Sequence, residues 1–233
     1  MILGAGRGTR LGEYGKRVPK ILAKIAGRPL LTWQLEHLAS EGFERAVVNT
    51  HHLASQVEDF AASWSGPPEL RLAYEQHLLG TAGGLVNAWP QLGAEAAVVV
   101  YGDVLPGPSL RELLAVHQRR CPLATLAAYE APASPAKGAI VADERDRITS
   151  FREKDLGVSG RVWINAGLMV VERRLTGLLA AGVPADFGLD LFPRALTEGA
   201  DLRMHRLRKP VLDIGTRDAL AVAEAWLSES TTW

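Results

Sequence analysis

The sequence predicts an α/β fold: a mixed, mostly parallel central sheet with helices on both faces. Three observations predict it. Strand-like and helix-like segments alternate through the first 120 residues, the pattern of parallel strands joined by crossover helices. A β-branched run, Val98–Val100 in "AAVVVYGD", has the continuous apolar character of a strand at a sheet's buried centre. Beyond residue 120, strand-like segments follow one another with short links, so the sheet turns mixed.

The elements can be justified in order. Met1–Leu3 reads as the end of a buried strand. "PLLTWQLEHLAS", 29–40, has Pro at a helix start, apolar residues at helical spacing and Gly42 just beyond its end. "RAVVNT" follows as a strand, and 53–63 as a helix. Leu70–Glu75 alternates apolar and polar residues as a strand does. "TAGGLVNAW" opens a helix despite its glycines, "AAVVVYGD" is the central strand, and "SLRELLAVHQRR" is an amphipathic helix. In the second half, "LATLAAYE", "GAIVAD", "RITSFREK" and "RVWINAGLMVVE" read as strands. "LDLFPRALTEG" is a helix, "LRMHRL" a strand and "TRDALAVAEAWL" a last helix. With no linker, repeat or low-complexity tract, the 233 residues are expected to form one domain of two lobes, about 1–120 and 121–233.

Composition narrows the function classes. Lys+Arg and Asp+Glu balance at 26 each, so no global field draws the chain to nucleic acid or an anionic membrane. Anion binding must come from a local cluster. No apolar run reaches transmembrane length and the N-terminus lacks signal-peptide character, so a cytoplasmic protein is expected. The single cysteine, Cys121, is expected to be a buried, inert thiol. The oligomeric state is not legible, and a homodimer stays open.

The local cluster is at the start, in "MILGAGRGTRLGEYGKRVPK", which combines glycines with cations. Glycines at 4, 6 and 8 let the backbone turn and let an anion approach amide N–H groups, while Arg10 adds a fork of donors suited to phosphate. The segment is neither a Walker A loop nor a dinucleotide fingerprint: no Lys-Ser/Thr follows the last glycine, and the third glycine is misplaced. Lys20, stiffened by Pro19, can swing back over the same anion. Asp103 ends the central strand, with Gly102 allowing close approach, and Asp213 in "PVLDIGT" sits in a like setting. Two such carboxylates can hold Mg²⁺ against a phosphate chain, or each can cap a turn.

Together these residues resemble the sugar-phosphate nucleotidyltransferases, or nucleotide-sugar pyrophosphorylases. The resemblance is carried by "ILGAGRGTRL…PK", "GTAGG" (Gly80–Gly84), "YGD" (Tyr101–Asp103), "FREK" (Phe151–Lys154), "INAGLMV" (Ile164–Val170) and "LDIGT" (Leu212–Thr216), in the family's order over nearly the whole chain. The length is similar to that of short members such as heptose-1-phosphate guanylyltransferases and N-acetylmuramate-1-phosphate uridylyltransferases. Two departures stand out. The family's first strand usually begins a few residues earlier, and its Pro-Lys-Pro-Leu is here Pro-Lys-Ile-Leu (Pro19–Leu22).

The resemblance implies a Rossmann-like three-layer sandwich with a nucleotide-binding first lobe and a sugar-binding second lobe. It implies that Gly4, Ala5, Gly6, Gly8, Thr9 and Arg10 cradle a triphosphate, with backbone near Leu3–Ala5 touching the base. Lys20 would neutralise developing charge, and Gln76, Gly80 and Thr81 would line the base pocket. Asp103 and Asp213 would hold Mg²⁺. Gly138, Glu153, Asn165 and Gly167 would contact the sugar, and Lys154 its phosphate. The implied partners are a nucleoside triphosphate and a sugar 1-phosphate, with GTP and a heptose 1-phosphate one pairing and uridylyl or thymidylyl transfer to a hexose 1-phosphate another. The implied reaction is in-line attack of the sugar phosphate on the α-phosphorus, with charge stabilisation in place of an enzyme nucleophile.

Other readings of the same residues remain. Glu153 could pair only with Arg152 or Lys154, Asn165 could be a turn residue, and Trp163 could stack on a ligand or simply pack. His51 and His52 are expected to be structural, and His77 has no assignment. Trp33, Trp89 and Trp226 are expected in the core. A non-catalytic nucleotide-sugar-binding subunit would keep the fold but lose Arg10, Lys20, Asp103 or Asp213, and all four are present. A dinucleotide-dependent oxidoreductase is disfavoured, because Lys20 and Lys24 stand where an acid would be expected.

Overall fold

The computed structural model describes residues 1–133, 138–152 and 160–229. In chain order the elements are β1 (Ile2–Leu3), β2 (Lys24–Ile25), β3 (Arg28–Pro29), α1 (Leu30–Ser40), β4 (Arg45–Thr50), α2 (Ala54–Ser63), β5 (Glu69–Tyr74), α3 (Gly80–Leu92), β6 (Ala96–Tyr101) and α4 (Leu110–Arg120). The second half adds β7 (Ala124–Pro132), β8 (Ala139–Ala142), β9 (Ile148–Arg152), β10 (Arg161–Glu172), α5 (Arg173–Thr176), α6 (Phe192–Thr197), β11 (Leu202–Arg206) and α7 (Arg217–Glu229).

Among the described residues, nine strands form one sheet in the order β11-β7-β10-β6-β1-β4-β5, with β8 paired to β10 and β9 to β8. β1 is parallel to both its neighbours, β4 and β6, and β4 is parallel to β5. β10 is antiparallel to β6 and β7, which reverses the chain twice and leaves β11 parallel to β7. The mixed, mostly parallel sheet follows the sequence expectation. No helix among the described residues is long and apolar enough to cross a membrane.

The strand period of two explains how continuous apolar runs supply two cores. Val99, Met169 and Val171 face one layer, where Leu85 and Trp89 of α3 and Phe192 of α6 pack. Val98, Val100, Leu168 and Val170 face the other, against Leu31 and Leu35 of α1, Val57 of α2 and Leu113 of α4. A smaller cluster of Ile25, Leu30, Leu105, Ile214 and Ala223 docks α7 beside the β2–β3 hairpin.

Several details differ from the sequence reading. The β2–β3 hairpin was not expected, because two-residue strands carry no periodicity to detect. Strand β5 begins at Glu69 and stops at Tyr74, and as an edge strand it exposes Tyr74 at 60%. The expected helix at 189–199 is α6 preceded by a π turn, Phe187–Leu191. Cys121 is exposed rather than buried. It caps α4 in the left-handed region at φ 49°, with its backbone N–H bonded to His117 C=O, so it lies past the helix's apolar face. Trp89 is 5% exposed and in the core, as expected. Trp33 is only half-buried: its Nε1 donates to Ile25 C=O and Arg28 lies 4.4 Å over its ring. The side chain of Trp226 lies outside the described residues.

Candidate active site

Strands β1, β4 and β6 end at one edge of the sheet, and the glycine-rich loop leaves from that edge. Gly4 is there because the backbone leaves no room: a Cβ would lie 2.8 Å from Ile21 Cδ1 and 2.9 Å from Val48 Cγ1. Its N–H donates to Asn49 Oδ1 at 2.7 Å. Gly8 takes φ 61°, which an L side chain resists, and starts the 3₁₀ turn Thr9–Leu11 that carries Arg10.

Lys20 and Arg10 converge on Asp103. Lys20 Nζ pairs with Asp103 Oδ2, and Arg10 Nη2 lies 3.8 Å from the same oxygen. Asp103 is brought in by Gly102, whose N–H donates to Leu3 C=O and whose Cβ, if present, would sit 2.2 Å from that oxygen. The segment of Asp213 runs alongside: Asp213 bridges to Val104, and Ile214 N–H donates to Asp103 C=O at 2.7 Å. A Cβ at Gly215 would lie 2.9 Å from Arg10 Nη1 and 3.0 Å from Asp213 Oδ1. Residues 10, 20, 103 and 213 are thus one cluster. Among the described residues no group of three or more His, Cys, Asp or Glu is placed to hold a metal. Asp103 and Asp213 are the two acids of this cluster, and Asp186 lines the same cavity.

The neighbouring wall is uncharged backbone backed by acids. Thr81, in the first turn of α3, donates to Asp186 Oδ1 from its N–H at 3.1 Å and its Oγ1 at 3.0 Å, and its Oγ1 accepts from Phe187 N–H at 2.9 Å. Gly80, at φ 72°, allows the close approach of Ala185 C=O. Behind it, Glu75 accepts from Asn49 Nδ2 at 2.6 Å and from Leu79 N–H at 2.9 Å. Gly84 makes space for that pair, since a Cβ there would lie 2.5 Å from Asn49 Nδ2.

A cavity of about 380 Å³ joins these parts. Leu3, Gly4, Ala5, Gly6, Gly8, Thr9, Arg10, Lys20, Gly80, Thr81, Gly102 and Asp103 line it, as do Asn49, Leu78 and Asp186. Gln76 is exposed and is not in that wall, and Leu78 takes the expected place. Among the residues the resemblance assigns to a sugar, Asn165 N–H donates to Gly138 C=O at 3.3 Å, and Asn165 Oδ1 accepts from Gly167 N–H at 3.0 Å. This turn falls where β10 shifts register against β7. Gly167, at φ 71°, would place a Cβ 3.0 Å from Tyr101, on the cavity wall. Glu153 and Lys154 lie outside the described residues.

Sequence reasoning missed Asn49, Glu75 and Asp186. Asn49 and Glu75 close strand-like runs and carry no motif, and Asp186 comes from a segment remote in sequence. The histidines have backbone partners: His51 Nδ1 lies 3.0 Å from Glu75 C=O and His52 Nε2 2.9 Å from Gly15 C=O. Trp163 packs on the core and meets Arg206, whose guanidinium is 5.1 Å from its ring.

A family model described as nucleotidyl transferase matches residues 1–230. The chain belongs to the nucleotidyl transferase family. Mannose-1-phosphate guanylyltransferase of Mycobacterium tuberculosis is 32% identical over 200 residues, which cover 85% of this chain and 55% of that protein. UTP–glucose-1-phosphate uridylyltransferase of Synechocystis sp. is 27% identical over 230 residues, covering 92% and 59%. The chain therefore spans a little over half the length of these two curated relatives. Among solved structures, HddC from Yersinia pseudotuberculosis complexed with GMP-PN matches with a TM-score of 0.82 over 97% of both chains, at 22% identity, which shows the fold. The family resemblance seen in the sequence is borne out.

Proposed function

We propose that this chain is a Mg²⁺-dependent sugar-1-phosphate nucleotidyltransferase, which joins a nucleoside triphosphate to a sugar 1-phosphate and releases pyrophosphate. The observation that carries the reading is the convergence of Arg10 and Lys20 on Asp103 within a glycine-lined cavity. Two anionic reactants repel, and a site for them needs fixed positive charge together with backbone they can approach closely. Catalysis is then positioning and charge stabilisation.

Arg10 and Lys20 bind and orient the phosphate chain. The amides of the glycine loop take its oxygens, and Thr81 with Gly80 takes the base. The turn Asn165–Gly167 faces the sugar. Asp103 and Asp213, carried on adjoining segments, fit Mg²⁺, a hard cation that takes oxygen ligands and is often held by one or two carboxylates plus substrate phosphates. When bound, the ion would supply neutralisation of the phosphate charge. The reading puts the activity in the cytoplasm, which charged, membrane-impermeant substrates support, and in one domain with a nucleotide-binding and a sugar-binding lobe. GTP is the favoured nucleotide, supported by the mannose-1-phosphate guanylyltransferase relative and by the GMP-PN complex of HddC, and a heptose 1-phosphate is its proposed partner on the resemblance in length to short guanylyltransferases. Uridylyl transfer to a hexose 1-phosphate is the second reading, favoured by the uridylyltransferase relative.

The test is pyrophosphate release from each of the nucleoside triphosphates with a panel of sugar 1-phosphates and Mg²⁺. Release with one pairing is expected. Silence from folded protein across the panel would instead support a non-catalytic nucleotide-sugar-binding role.

A further inference from the structure

Asp103 already holds a cation. Lys20 Nζ pairs with its Oδ2, and both side chains are largely covered, at 14% and 18% exposure. Water and salt screen such a pair less than one on the open surface. Arg10 adds a second positive charge 3.8 Å from the same oxygen.

The backbone sets this pairing up. Pro19 leads into the 3₁₀ turn Lys20–Leu22, and the next residue, Ile21, is 1% exposed and wedged against Gly4. The ammonium is therefore delivered to Asp103 by a packed turn, not by a wandering side chain.

A divalent cation on Asp103 would stand within a few ångströms of that ammonium, and like charges at that range repel. No group of three or more metal-ligating side chains among the described residues gathers around Asp103 and Asp213, so substrate phosphates must complete the ligand set of such an ion.

We propose that Lys20 is a placeholder cation: it keeps Asp103 closed to a divalent ion until a triphosphate draws its ammonium away. The inference rests on the reading of Asp103 as metal anchor. Phosphate oxygens compete for Lys20 and Arg10, both donors suited to them, and Asp103 is released at the moment the phosphates arrive. Lys20 thus couples metal affinity to nucleotide occupancy, and the site does not fill with metal ahead of its substrate.

Mn²⁺, which shares the preference of Mg²⁺ for oxygen ligands, serves as the probe. Free Mn²⁺ is followed by electron paramagnetic resonance during titration of nucleotide-free protein. Wild type should bind it weakly, and Lys20→Met should bind it at least about tenfold more tightly. Lys20→Arg, which keeps the charge, should stay as weak as wild type. Adding Asp103→Asn to Lys20→Met should abolish the gain, which locates it. Lys20→Gln is a second way to remove the charge should the methionine variant fold poorly.

Tight stoichiometric Mn²⁺ binding by nucleotide-free wild type would overturn the proposal without any variant. So would a gain on charge removal below about threefold, or a gain that survives Asp103→Asn. Binding is measured here without turnover. Silence in the pyrophosphate assay would remove the proposed activity, while the Mn²⁺ titration would still decide whether Lys20 masks Asp103.

Discussion

At one end of the cavity Lys20 and Arg10 face Asp103 from side chains that are 14% and 58% exposed; at the other, Asn49 and Glu75 sit sealed at 2% and 1%. The two ends are made of similar polar groups and are held differently. The charged end is a set of side chains whose partners can be exchanged for a ligand's. The sealed end is a hydrogen-bonded brace from Gly4 through Asn49 and Glu75 to Leu79, which fixes the glycine loop against the start of α3. Function is expected to reside at the first end and stability at the second.

The largest effect tests the charged end. Asp103→Asn should lower pyrophosphate release by about 10²–10³-fold with the fold retained, because the amide keeps the shape of the carboxylate and an acceptor oxygen for Lys20. Activity and melting should be measured on the same preparation. Unchanged activity would remove Asp103 from the chemistry. Next, Arg10→Ala should cost about 10²-fold in turnover without loss of fold, since its guanidinium is 58% exposed. A drop in melting temperature larger than the drop in activity would reverse the comparison at this residue.

The sealed end should answer in the opposite way. In Glu75→Gln one of the two oxygens becomes an NH₂ that faces a donor, either Asn49 Nδ2 or Leu79 N–H. A buried donor left unpaired costs about 1–3 kcal/mol, or several degrees in melting temperature for a chain of this size. Urea or thermal unfolding checks it. Stability within error of wild type would show that the brace is slack.

The same contrast explains what the sequence could and could not reveal. The charged end was legible because its parts announce themselves: glycines with an arginine after a strand, a lysine behind a proline, an aspartate ending a β-branched run. The sheet was legible too, because Val98–Val100 and Leu168–Val171 have the apolar continuity of central strands, and their alternation serves both cores. The brace was not, since Asn49 and Glu75 work through each other and through the backbone of Gly4 and Leu79, a set of partners that no local pattern encodes. The β2–β3 hairpin was too short to show a period, and Cys121 was misplaced because its position is set by the end of α4 rather than by its own apolar character. Gln76 was carried to the pocket wall by resemblance, but in this chain the turn after β5 buries Glu75 and sends its neighbour to the surface.

Asp186 stands between the two ends and gives the smallest expected effect. It lines the cavity, as the charged residues do, yet it also holds a backbone group, as the brace does: its Oδ1 receives both donors of Thr81 at the start of α3. Asn at 186 keeps an acceptor oxygen and can retain those bonds, whereas Ala removes them and leaves an N–H of the helix's first turn without its acceptor, a loss of about 0.5–2 kcal/mol by analogy with helix caps. If Asp186 acts by positioning Thr81, Asp186→Ala should raise KM for the nucleoside triphosphate several-fold with kcat changed less, and Asp186→Asn should stay near wild type. Titration of the triphosphate at saturating sugar 1-phosphate separates the two. A fall in kcat with KM unchanged, shared by both variants, would mean that the negative charge itself matters, and Asp186 would then belong with Asp103 rather than with the brace.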